Sequence, residues 1–378
     1  MKQPNLADLT TPLLPNLLVI SVAVYGALLQ SLDVDLYYLS IQEDESIEWA
    51  TFWAFIGAGY LYLRTVFRTS ASLAGAWCGF GLVAFCGFVA LEEISWGQRI
   101  IGYRPPDYFL AFNYQQELNV HNVIDKDLRK LAVKVVIFGY GVALPLIGLI
   151  PRASTLMQRI RLLVPPVSLV PAFAVTGTLM IVYPFKFTGE WVELMLGLCF
   201  AFSALAALPR DPASHTRRPW RPSGQIALTA LLIGALGVAS ATATRYQRDD
   251  NPQNVIAATR ELEALRADFM RFGISHRCRA HKRLFTFAFQ YHAPELFSGQ
   301  FAQLTGQGLP EPRAAFLLDP WNYAYWIRDN CSTPERPRTT FLYSFGPNRR
   351  RDSTRWAIGG DDIAVFIRGQ EIRLESGD

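Results

Sequence analysis

The stretch QIALTALLIGALGVASATATRYQRDD, Gln225 to Asp250, holds the decisive change of character in this chain. Gln225 to Ala243 carries no charged residue and matches the roughly 17–25 residues an α-helix needs to cross a bilayer. Arg245, Arg248, Asp249 and Asp250 follow at once. A membrane-type segment thus gives way to a water-compatible one. Working back toward the N-terminus, six more stretches have the same length and apolarity: 14–31, 48–66, 72–91, 131–150, 162–184 and 190–208. The expected architecture is an all-α polytopic membrane domain of about seven transmembrane helices over residues 1–244. A soluble α+β domain over 245–378 completes the chain.

Composition agrees with this division. The 378 residues are 51% apolar and 18% charged, where soluble proteins carry about a quarter charged. The mean hydropathy of +0.15 suits a chain part membrane and part soluble. A net charge of +4 is too small to argue for nucleic acid; the lipid bilayer is the expected partner, and no protein partner is indicated. The first span has a weak basic flank, Lys2, and no small-x-small cleavage site after Ser31, so it reads as a retained anchor.

Orientation follows from the basic residues. Arg64 and Arg68, then Arg152, Arg159 and Arg161, then Arg210, Arg217, Arg218 and Arg221 all fall on one side with the N-terminus. The opposite loop holds Asp33, Asp35, Glu43, Asp44 and Glu45. The N-terminus is therefore expected in the cytoplasm and the C-terminal domain outside. Pro165, Pro166 and Pro171 are expected to kink or break the N-terminal half of the fifth span.

In the C-terminal domain, Val255, Leu262, Leu265, Phe269 and Phe272 give Asn254–Phe272 the stripe of an amphipathic helix. Phe285, Phe287, Phe289 and Tyr291 alternate as in a strand with one aromatic face. Thr340–Phe345, Ile363–Ile367 and Glu371–Leu374 read as further strands, with turns at 359–362 and 368–370. The aromatics of Asp319–Trp326 fit a core or interface belt better than a sugar-stacking surface. Arg349, Arg350 and Arg351 read as a solvated turn, with anionic headgroups as the alternative contact. His276 and His281, five apart, with His292 beyond, fit no helical metal pair. Cys78, Cys86 and Cys199 lie in apolar runs. Cys278 and Cys331 have the option of one disulfide in an oxidising compartment.

The loop joining the third and fourth spans, residues 92–130, is the most informative region. It opens with Glu92-Glu-Ile-Ser-Trp-Gly-Gln-Arg99 and continues with Asn113-Tyr-Gln-Gln-Glu-Leu-Asn-Val-His-Asn122. Glu92 and Glu93 stand at a helix C-terminal end, where the helix dipole opposes them. Glu48 opens the second span, and Glu190 and Glu193 open the sixth, on the same expected side. Whether helical or extended, the second segment gathers Asn113, Glu117 and His121 on one face, joined in the extended reading by Gln115 and Asn119. The expected roles are Glu93, His121 and Glu117 as acid–base groups. Arg99, Lys186, Asn113, Gln115 and Asn122 would contact substrate, and Glu92, Glu48 and Glu190 would hold a divalent cation. That donor set suits Ca²⁺, Mg²⁺ or Mn²⁺ better than Zn²⁺. The bland alternative is a structural polar network.

The two segments resemble a signature of uncharacterised bacterial multi-pass membrane proteins, E-E-I-S-W-G-Q-R followed by N-x-Q-x-E-x-N-x-H-N. Glu43–Trp49 looks like that family's acidic approach to its second span. The likeness covers roughly the first 200 residues and implies residence in a bacterial inner membrane, with no established activity to carry over. Alkaline ceramidase-like hydrolases are disfavoured, because Gln225–Ala243 lacks their late histidine pair. The glycosyltransferases of lipid-linked sugars share only the layout, with Asp33, Asp35, Glu43 or Asp44 as the matching acids. The expected function is an enzyme, a hydrolase or glycosyl- or phospho-transferase, acting at the outer face on a lipid or lipid-linked glycan. An ion-binding transporter and a membrane-anchored scaffold are the alternatives.

Overall fold

The structure, a computed structural model, describes residues 6–69, 76–209, 223–271, 278, 280–287 and 309–374. Lys2, Arg210, Arg217, Arg218, Arg221, Phe272, His276, Phe289, Tyr291 and His292 lie outside these. The helices, in chain order, are α1 Leu6–Leu32, α2 Val34–Ser40, α3 Ser46–Thr69, α4 Trp77–Glu93, α5 Gln98–Ile101, α6 Asp107–Phe112 and α7 Lys126–Val135. There follow α8 Leu144–Ile147, α9 Pro151–Arg159, α10 Val170–Val182, α11 Thr188–Ala207, α12 Ser223–Arg245, α13 Pro252–Arg271 and α14 Leu284–Thr286. The strands are β1 Ala280–Arg283, β2 Trp326–Asn330, β3 Thr339–Ser344 and β4 Ile363–Arg368.

The chain forms two compact units. The first comprises Met1–Trp96 and Ile124–Thr242; the second comprises Gly97–Val123 and Ala243–Asp378. Residues 97–123, expected within the membrane domain, thus pack with the C-terminal residues.

In the first unit, a helix stands at each of the seven apolar stretches. Four described helices are long and apolar enough to cross a membrane: Leu13–Leu32, Lys126–Ile147, Thr188–Ala207 and Ser223–Arg245. The other three fall short. α4 has 17 residues, the apolar helix at Val167–Val182 is short, and α3 dilutes its apolar residues with Trp49, Trp53, Tyr60, Tyr62 and Arg64. The second of the four is continuous through a π-helical segment, Val136–Ala143. α11 is the axis of this unit, since 78% of its apolar window is buried against 17–28% in the other three. Those three turn large apolar side chains outward instead, among them Leu17, Leu28, Leu131, Leu228, Leu231 and Val238. Exposed apolar area on this scale is tolerable against acyl chains and costly against water.

The prolines of the fifth stretch break its N-terminal half, as expected. Residues 162–166 are not helical, a short 3₁₀ turn follows at Val167–Leu169, and Pro171 sits in the first turn of α10. Proline is compatible there because the first turn needs no intrahelical N–H donor. Asn16 of α1 secures this start, donating to Ser168 O (2.7 Å) and accepting from Ala172 N–H (3.0 Å).

α12 approaches α3 closely at Gly237, where an added Cβ would lie 2.9 Å from Ala50 Cβ and 3.0 Å from Ala50 Cα. Gly234, one turn back, would meet nothing within 4 Å. Gly237→Leu is therefore expected to force the two helices apart and lower the thermal midpoint in detergent by several degrees, whereas Gly234→Leu leaves it in place. Equal midpoints for the two variants would contradict this packing.

The second unit is α+β. Its sheet is antiparallel in the order β1-β2-β3-β4. α13 buries Leu262, Leu265 and Phe269 with Ile327, Leu342 and Val365 on one side of the sheet. Tyr323, Phe341, Tyr343, Phe345 and Ile358 form a second cluster. The aromatic run Asp319–Trp326 supplies core, with Trp321, Tyr323 and Tyr325 buried. Three expectations are corrected. Leu284–Thr286 is a helical turn and not part of a strand, because β1 ends at Arg283. Glu371–Leu374 makes only an isolated bridge to Ile358. Arg350 is buried and donates to Thr244 Oγ1 (3.0 Å), so the arginine triplet is not merely a solvated turn. Cys278 and Cys331 form a disulfide with Cα atoms 5.0 Å apart. The register pairs Ala280 with Asp329, so continuing the ladder outward by two residues brings 278 opposite 331.

Candidate functional site

The proposed site residues divide between the two units. In the first unit, a carboxylate cluster is built from three helices. Glu92 and Glu93 end α4, Glu48 lies in the first turn of α3, and Glu190 and Glu193 lie in the first turns of α11. Glu93 lies within electrostatic range of Glu193, Glu190, Glu48 and Glu92. Glu190 is in range of Glu193, Glu48, Glu43 and Arg129. Glu48 accepts the Asp44 N–H, and Glu92 accepts from Trp96 Nε1 at 2.6 Å. Glu193 is a member that the spacing of the site did not single out beyond its helix position.

The backbone around this cluster is strained. Asp44 ahead of α3, Ser95 and Trp96 after α4, and Phe187 ahead of α11 all have positive φ, between 47° and 66°. Non-glycine residues there cost on the order of 1–3 kcal/mol each and persist where surrounding structure imposes them. Every helix that delivers a glutamate is thus joined to its loop through such a residue. Lys186, next to Phe187, is exposed and lies over its ring at 4.9 Å, while its carbonyl accepts from Tyr37 Oη at 2.9 Å.

Crowded carboxylates repel one another, so the favourable states of this cluster contain a proton, a cationic group or a cation. The fit to a metal ion is poor. Among the described residues, no group of three or more His, Cys, Asp or Glu side chains is arranged to hold one. The cation expected of Glu48, Glu92 and Glu190 therefore has no set of ligands in place.

In the second unit, the Asn113–Asn122 segment is tied internally. Asn113 Nδ2 donates to Glu117 O (2.6 Å) and Asn119 Oδ1 (2.8 Å), and its Oδ1 accepts Gln115 N–H (2.8 Å). Asn122 donates to Gln115 Oε1. Gln98 Oε1 accepts Leu118 N–H at 2.7 Å. Gln116 donates to Phe316 O (2.9 Å), Thr286 to Tyr114 O (2.8 Å) and Gln247 to Ile100 O. Glu117 pairs with Arg283 at 2.8 Å, both side chains nearly inaccessible. Asn113, Gln115 and Asn122, expected to contact substrate, thus bond to one another and to their own segment, while Ile100, Tyr114, Gln116 and Glu117 join residues 97–123 to the C-terminal residues. His121 is half-buried in a turn. The Arg99 side chain lies outside the described residues.

Asp319 organises the aromatic run. Its Oδ1 accepts from Trp321 N–H (3.0 Å) and Tyr323 N–H (2.9 Å), and its Oδ2 from Ser344 Oγ (2.5 Å). Burial pushes its carboxyl up to about 6, against these bonds and the Arg313 charge, which pull it down. A raised carboxyl binds its proton more tightly in the folded state, so its contribution is full below about 4 and is lost as pH rises through about 6. Asp319→Asn is expected to remove on the order of 2–3 kcal/mol of pH-dependent stability from that window. Denaturant melts at pH 4 and pH 7 measure it, and identical pH slopes in variant and parent would rule it out.

No protein-family model matches this chain, and no curated protein or solved structure matches it either.

Proposed function

We propose that this chain is an integral membrane enzyme that uses the Glu93-centred cluster for acid–base chemistry on a lipid or lipid-linked glycan. The observation that carries the reading is the convergence of five glutamates from α3, α4 and α11 at one end of an apolar bundle. In this reading the chain crosses a bacterial inner membrane about seven times, with its N-terminus in the cytoplasm and its C-terminal unit outside. It shares its two-part signature with the multi-pass family named above. Glu93 gives or takes the proton, because it lies within electrostatic range of the other four glutamates and a positioned carboxyl serves as a general acid or base. Arg129 tempers the negative field at Glu190. Lys186 supplies a point charge for a phosphate headgroup. No step runs through a metal.

The test is to purify the full-length protein and its Glu93→Gln variant and identify retained lipids by mass spectrometry, alongside the lipid profile of cells carrying each. A lipid class that accumulates only with the variant supports the reading. Identical lipid profiles in parent and variant, with both folded, would remove it.

A second reading, movement of protons or cations, is favoured by one observation. Tyr62 Oη and Tyr140 Oη share a hydrogen bond of 2.9 Å inside the apolar bundle, and Tyr140 belongs to the π-helical segment. Such segments are frequent at functional sites. Ion flux into liposomes that is lost in Tyr140→Phe would favour it over the enzyme.

A further inference from the structure

The second unit carries a cluster of the opposite sign. Arg328 of β2 stands across from His281 of β1, on the sheet face that also bears Trp326 and Tyr343. The Arg328 guanidinium donates to the Tyr343 hydroxyl, which is also 2.7 Å from His281 Nε2. Arg351 and Arg355, from the loop after the 3₁₀ turn Gly346–Asn348, both lie within electrostatic range of Arg328. Arg351 is in range of Tyr343 as well. At the rim, Arg355 and Arg336 lie over the Trp356 ring at 5.3 and 5.4 Å.

These guanidiniums differ from three others in the unit. Arg283, Arg313 and Arg338 each meet a carboxylate, at 2.8, 2.5 and 2.7 Å. Among the described residues, Arg328, Arg351 and Arg355 have no such partner. Arg328 Nε reaches only Asn330 Oδ1, at 3.4 Å. Arg351 Nε is buried without a hydrogen bond. The acid in electrostatic range of Tyr343 is Asp362, and its oxygens already accept the Ser353 and Asp352 N–H groups. Burial and the two neighbouring guanidiniums push the Arg328 pKa down. Like charges held together in a partly desolvated place are stabilised by an anion that several of them can bind at once. The planar fork of guanidinium matches the oxygens of a phosphate group.

We propose that Arg328, Arg351 and Arg355 form a binding site for a phosphate group, carried by a small soluble phosphate or by an anionic phospholipid headgroup. The site belongs to the second unit and stands independently of the acid–base reading of the first.

The test uses the full-length protein in an uncharged detergent. Inorganic phosphate is titrated against chloride at equal ionic strength and followed by tryptophan fluorescence, since Trp326 and Trp356 adjoin the cluster. A second arm titrates phosphatidylglycerol against phosphatidylcholine in mixed micelles. The expected result is saturable binding that weakens by about tenfold or more in Arg351→Gln and in Arg355→Gln. Arg355 is exposed, so its variant keeps the test valid if Arg351→Gln fails to fold. Saturation by inorganic phosphate identifies a soluble ligand, and preference for phosphatidylglycerol alone identifies a headgroup; both support the site. Absence of both, or binding unchanged in both variants, overturns it.

Discussion

Glu117→Gln is expected to destabilise the second unit by about 3–5 kcal/mol, the cost of leaving a buried charge without its partner. Arg283 and Glu117 meet at 2.8 Å with side chains only 6% and 2% exposed. The guanidinium also lies 4.8 Å from the Trp326 ring, and its Nε has no hydrogen bond among the described residues. Gln retains an acceptor but not the charge, and water has little access to replace it. Removing both charges is a different matter. Glu117→Leu with Arg283→Met is expected to recover most of the loss, because apolar groups of similar volume substitute well for a buried ion pair. Thermal unfolding and limited proteolysis of the full-length variants measure both effects. A Glu117→Gln protein as stable as the parent but inactive would instead return Glu117 to the acid–base role suggested by its sequence neighbourhood.

Glu93→Gln is expected to show the opposite signature, with activity falling by roughly 10²–10⁴-fold, the range for a positioned acid or base, and stability held or improved. Glu93 is surrounded by Glu193, Glu190, Glu48 and Glu92. Neutralising it relieves repulsion, so a purely structural role predicts a protein at least as stable and a phenotype unchanged. A proton-transfer role predicts a stable protein with the lipid phenotype of a null. Glu190→Gln serves as the comparison, since Glu190 shares the glutamate neighbours but also has Arg129 in range. A drop in thermal midpoint without any change in lipids would refute the acid–base assignment of Glu93. Deleting 245–378 is a poor substitute for these variants, because it also removes Phe316, Thr286 and Arg283, the partners that hold residues 97–123.

Some of this molecule was determined by sequence alone. An apolar run long enough for a helix is a local property, and helices stand at each such run. The stripe of α13 is local too, as are β3 and β4, short apolar and aromatic runs beside turn residues at 359–362 and 368–370. The convergence of glutamates could be anticipated because Glu48, Glu92, Glu93 and Glu190 occupy ends of apolar helices, and helix ends lie together in a bundle. The remainder depended on partners distant in the chain. Nothing near Glu117 announces Arg283, 166 positions away, so one half of a buried ion pair read as an acid–base group. The alternation at Phe285 suggested a strand that ends at Arg283 instead, and β1 and β2 are defined by their mutual register, to which Cys278 and Cys331 also conform. The break at Pro165 and Pro166 was legible in the sequence, whereas the helix boundary set the place of Pro171 in the first turn of α10, where a missing N–H does not matter. Local periodicity determined which segments bury apolar surface. Tertiary packing alone decided which charges found partners, because burial turns an exposed, weakly interacting charge into one that must be matched.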